Sequence, residues 1–92
     1  MEESTTQVPP PVQTEIIIKL LKPVQLGAVV FEELTLSEPT VGELRKSSKA
    51  GDSLDQLATL ININAKVPMA AVDMLCQRDM SACANFFSRF NV

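Results

Sequence analysis

The sequence predicts an α+β fold, an N-terminal β-hairpin packed on a small bundle of three to four helices. Three observations lead there. Residues 16–22 and 29–36 are apolar stretches with period-two alternation, the pattern of half-buried strands. Later stretches repeat apolar residues at helical spacing, as in Leu54, Leu57, Ala58, Ile61 and Ala65. Between them, residues 34–44 read as a joint where a strand ends and a helix begins.

In the joint, Leu34 and Leu36 flank Thr35, and Pro39 ends the strand because it has no N–H to give a ladder. Thr40 with Glu43 three residues on is a capping box, which opens a helix at Val41. Upstream, Ile16, Ile18 and Leu20 share one face of the first strand, and Val30, Leu34 and Leu36 one face of the second. Residues 23–28, with Gly27, supply a turn expected to exceed a two-residue hairpin. Ile17 and Leu21, with Val29 and Phe31, lie on the opposite face. Either a helix covers them or an apolar surface is left open.

The first helix is expected from Val41 to about Ala50, with Gly51 as its C′ residue. Arg45, Lys46 and Lys49 form its basic, solvated face. Ser53, with Gln56 at the third position, is expected to cap the second and central helix, which Pro68 stops. A short helical turn follows over 69–75. Asp79 is expected to cap the last helix, residues 80–90, whose core face would be Met80, Cys83, Ala84, Phe87 and Phe90. Phe86 lies beside that stripe, where it and a neighbour can face outward as a docking patch.

Residues 1–15 carry a Pro9-Pro10-Pro11 run and few large apolar groups, so they are expected to form a disordered tail. Residues 16–92 form a single domain. A net charge of −3 and the lack of histidine argue against nucleic-acid binding, which needs clustered Lys and Arg. No stretch approaches the ~20 apolar residues of a membrane span, and the acidic start does not read as a signal peptide. Cys76 and Cys83 lack the companion ligands of a zinc site and read as reduced thiols. No catalytic residue, metal ligand or cofactor motif emerges, since no Ser-His pair or phosphate loop can be built and the carboxylates occupy caps, turns and strands. An enzyme is not expected.

Composition alone ends at a small interaction domain; the joint carries more. The Lys22-Pro23 break after the first apolar strand, then Glu33-Leu34-Thr35-Leu36-Ser37-Glu38-Pro39-Thr40-Val41-Gly42-Glu43-Leu44, resembles the tail assembly proteins of Mu-like contractile-tailed bacteriophages. The Leu-rich helix, the Val67-Pro68 break and Asp73-x-Leu75-x-x-x-Asp79 before a Phe-rich end agree in order. The resemblance covers residues 16–90.

It implies a chaperone, without catalysis, that binds the tape measure protein, keeps it soluble and leaves as tail tube subunits polymerise. The tail tube protein is then a further partner. The expected location is the host cytoplasm, not the mature virion. The alternatives are a structural tail or baseplate component and a regulator of a host protein that uses the basic face. Ile17, Phe31, Phe86 and Phe90 are the candidate partner-binding residues, and the apolar hairpin face makes a homo-oligomer conceivable.

Overall fold

The protein is described here from a computed structural model, over residues 14–90. The expected tail falls almost wholly outside these residues, but Thr14 and Glu15 are structured. Glu15 opens the first strand, and the Thr14 carbonyl accepts from Glu38 N at 2.8 Å. Strands β1 (Glu15–Leu26) and β2 (Val29–Ser37) form an antiparallel hairpin. Helices α1 (Val41–Ser48), α2 (Ser53–Ala65), α3 (Met69–Val72) and α4 (Gln77–Ser88) follow.

Both strands run further than their apolar stretches. Leu26 pairs with Val29, so the turn has only Gly27 and Ala28 at its tip, tighter than the sequence suggested. Gly27 has φ +63°, which a side chain would resist and which suits the first central position of a II′ turn. The extra length lies lower down. Lys19 pairs with Glu33 and Val24 with Phe31, so Leu20, Leu21, Lys22 and Pro23 together face Glu32. This large bulge takes those amides out of the ladder. Pro23 has none to lose.

The bulge is closed from α4. Asp79, 1 % exposed, accepts from Leu21 N at 2.9 Å and Lys22 N at 3.2 Å, and the Cys76 thiol donates to it at 3.2 Å. Asp79 is therefore not the cap of the last helix. Cys76 stands at the N-cap, and Asp79 sits within the first turn, facing inward. Burial alone would raise its pKa. The two backbone N–H groups, the thiol and the Arg78 charge outweigh burial and hold it below 3.8.

Anchoring Asp79 fixes the rotation of α4. Cys83, Phe86 and Phe87 follow at i+4, i+7 and i+8 and are all buried. They pack under Ile18, Leu20, Val24, Leu34 and Leu36 of the hairpin, with Leu60, Ile61, Ala71 and Val72 completing the core. Leu34 and Leu36 are core as expected, but Val30 is exposed. Beyond the bulge the pairing shifts, so Phe31 opposite Val24 turns inward in its place. Burial and the nearby Asp79 charge push the Cys83 thiol up to about 11.

The joint is tied from α2. The Thr40–Glu43 capping box forms as expected, with both bonds at 3.1 Å. Buried Asn64 accepts from Ser37 N at 2.8 Å and donates to Glu43 Oε1 at 3.0 Å. One amide thus binds the end of β2 to the cap of α1. The second box differs from expectation: Asp52 caps α2 with Asp55 at N3, one residue earlier than Ser53 and Gln56. Its oxygen accepts from Asp55 N at 3.0 Å. Gly51 is not a left-handed C′ residue either, since α1 ends at Lys49 in right-handed geometry. A Cβ at Gly51 would meet the Asp55 carboxylate instead. The left-handed residue is Lys66 at the end of α2, φ 59°, just before the Val67-Pro68 break.

Replacing Asp79 with Ala should cost about 2–4 kcal/mol in urea unfolding, since it strands two amides beside the core. The pH profile gives a second check. A depressed folded-state pKa stabilises the fold above the ordinary carboxylate value, and that share is lost as pH falls below 3.8 and through the lower folded value. The raised Cys83 pKa acts oppositely: its share is intact below the ordinary 9.0 and is lost as pH rises through about 11. Asp79→Asn should flatten the acid limb of stability and only lessen the alkaline limb, because burial of Cys83 remains while the Asp79 charge beside it is gone. Asn64→Ala should cost about 1–3 kcal/mol by stranding Ser37 N, measured the same way.

Candidate docking surface

The four residues expected to bind a partner do not form one surface. Ile17 lies on the outer face of the hairpin and is 57 % exposed. Phe31 is half-buried on the inner side, against Leu20, Val24, Leu34, Val67, Ala71, Val72 and Leu75 with no room between them for a water molecule. Phe86 is 1 % exposed, so the expectation that it faces outward is corrected. Its cause is the rotation set by Asp79, which puts position 86 at the centre of the buried face. Phe90 is half-buried, its ring 5.2 Å from that of Phe86 in an edge-to-face pair, while Phe87 stands at 5.7 Å. The Arg89 guanidinium lies 5.7 Å from the Phe86 ring centre, within cation–π range. The phenylalanines of the last helix hold the fold together.

Two other surfaces are apolar and open. Along the hairpin, Ile17 and Val30 on the outer side, Leu21 in the bulge and Val29 beside the turn are each more than half exposed. On the helical side, a half-open groove of about 440 Å³ runs between the start of α2, the end of α3 and the start of α4. Leu54, Ala58, Val72, Leu75 and Met80 make its apolar lining, and Asp55, Asp73 and Gln77 its polar margin. Leu54 is 61 % exposed, and nearby Met74 is 49 % exposed. In sequence both Leu54 and Met80 read as ends of core stripes. The gap between α2 and α4 that turns them into groove walls depends on helix spacing, which no periodicity carries.

Other signals have simpler places. Arg45, Lys46 and Lys49 are all exposed on or just after α1. Among the described residues, no group of three or more His, Cys, Asp or Glu side chains is placed to hold a metal ion. No described helix is long and apolar enough to cross a membrane.

A small hairpin-and-helix domain with apolar grooves, and with the joint and Asp79 in these positions, can be compared with known proteins. The family model for "Phage tail assembly chaperone proteins, E, or 41 or 14" matches residues 17–92. The chain belongs to this family. Its match takes in the hairpin, the joint, both groove walls and the Phe-rich helix, so the resemblance read from the joint holds over the folded part of the tail assembly chaperone. No curated protein and no solved structure matches the chain.

If Phe86 is core and Leu54 is surface, truncation should separate them. Phe86→Ala should cost about 3–5 kcal/mol and Leu54→Ala no more than about 0.5 kcal/mol, read from denaturant midpoints.

Proposed function

We propose that this tail assembly chaperone binds the tape measure protein and keeps it soluble while the tail tube is built, without catalysis. The observation that carries the reading is the groove between α2 and α4, open and apolar in a member of this family. A long helical partner has apolar stripes that aggregate when bare. A groove of this kind takes such a stripe by helix-in-groove packing, with alternate anchors at i, i+3 and i+4 entering between Leu54 and Met80. The outer hairpin face around Ile17 and Leu21 offers a second apolar contact. Contacts this limited in area bind weakly enough to give way when tube subunits polymerise on the same partner. The chaperone would act in the host cytoplasm and be absent from the finished virion.

Co-expression tests this. The tape measure protein should be insoluble alone and recovered soluble with the chaperone. Leu54→Glu combined with Met80→Glu should lower its capture at least about tenfold while circular dichroism stays unchanged. Undiminished capture by the double variant would overturn the groove as the contact. Failure of the unaltered chaperone to solubilise the tape measure protein, or its presence in purified virions as a stoichiometric component, would overturn the function.

A further inference from the structure

A two-stranded sheet has two edges, and in this one the direction of the backbone groups can be read off. Glu38 N donates to Thr14 O, which makes Thr14 and Glu38 a hydrogen-bonded pair. With the register Glu15↔Ser37, Ile17↔Thr35 and Lys19↔Glu33, the alternation then points the N–H and C=O groups of these six residues away from the partner strand. Two bonds from the helices agree: Ser37 N reaches Asn64 and Leu21 N reaches Asp79. Helix side chains thus close the edge of β2 at its end and that of β1 at the bulge.

Ahead of the bulge, β1 presents Glu15, Ile17 and Lys19, all exposed, at its edge. Their order is self-complementary. We infer that a second copy of this chain pairs here, β1 against β1 antiparallel, about a two-fold axis through Ile17, giving a continuous four-stranded sheet. In that register Ile17 meets its own copy, and Glu15 of each chain lies opposite Lys19 of the other. On the inner face Ile16 comes opposite Ile18, extending the apolar layer across the axis. Centring the axis on Lys19 would set lysine against lysine, and centring it on Glu15 would set glutamate against glutamate. The edge of β2 is less suited: Ser37 N is already bound to Asn64, an axis on Thr35 sets Glu32 opposite Glu38, and one on Glu33 sets glutamate against glutamate. The Ile17 axis is the one that sets opposite charges in register along β1, Glu15 against Lys19 on both sides.

This dimer is independent of the tape measure reading, and it is tested on the full chain alone. Sedimentation equilibrium should show reversible dimers whose fraction rises with concentration. Glu15→Lys, which sets lysine against lysine twice, should weaken dimerisation at least about tenfold. The swap Glu15→Lys with Lys19→Glu should restore it to within about threefold, because both pairs are remade with their signs exchanged. All three positions are exposed, and because Lys19 lies opposite Glu33 within the hairpin, circular dichroism checks that the swap variant keeps the fold of the unaltered chain. A monomer at every concentration up to about 1 mM would overturn the inference. So would dimers indifferent to Glu15→Lys, or a swap that fails to restore them.

Discussion

The contact between the Asp79 carboxylate and the bulge of β1 governs the rest of the structure. A strand with four residues opposite one cannot keep its ladder, and amides lost from a ladder beside a core must find acceptors. Asp79 supplies both oxygens of a single group to Leu21 N and Lys22 N. A charged acceptor makes stronger bonds than a carbonyl would, which offsets the cost of placing a carboxylate where it is 1 % exposed. The consequence reaches past the bulge. Because Asp79 is on the first turn of α4, the contact sets both the height and the rotation of that helix, and with them the burial of Cys83, Phe86 and Phe87.

Asn64 does for the other end of the hairpin what Asp79 does for the bulge. It joins Ser37 at the end of β2 to Glu43 at the start of α1, so the turn between sheet and helices has a fixed angle. With both ends pinned, the helices cover only the inner face of the sheet. The outer face and the cleft between α2 and α4 stay open. A domain of this size has little core to spare, and polar pins of this kind let it hold apolar surface outside without collapsing over it.

Much of the fold was legible from sequence. Period-two and helical spacing marked the hairpin and the α2 and α4 helices, and the Thr40–Glu43 box marked the start of α1 because all its determinants are local. The bulge was not legible, since its length depends on how β1 and β2 meet. Asp79 was read as a cap because a carboxylate before a helix usually is one. Its true role lies with Leu21 and Lys22, more than fifty residues away. The apolar stripe alone centres the face of α4 between Met80 and Phe87; only with Asp79 counted as an inward residue does the buried face shift to Cys83, Phe86 and Phe87. Asn64 carried a signal that was there to use: a polar side chain within the apolar stripe of α2, four residues after buried Leu60. The groove had none, because Leu54 and Met80 fit a core stripe equally well.

Amide hydrogen exchange at Leu21 and Lys22 tests the anchoring role of Asp79 most directly. The account predicts that both exchange only on global unfolding at neutral pH, as slowly as core amides such as that of Phe86, although the side chains of Leu21 and Lys22 are exposed. Exchange at the rate of an unstructured peptide at these two positions, with the rest of the hairpin protected, would contradict it.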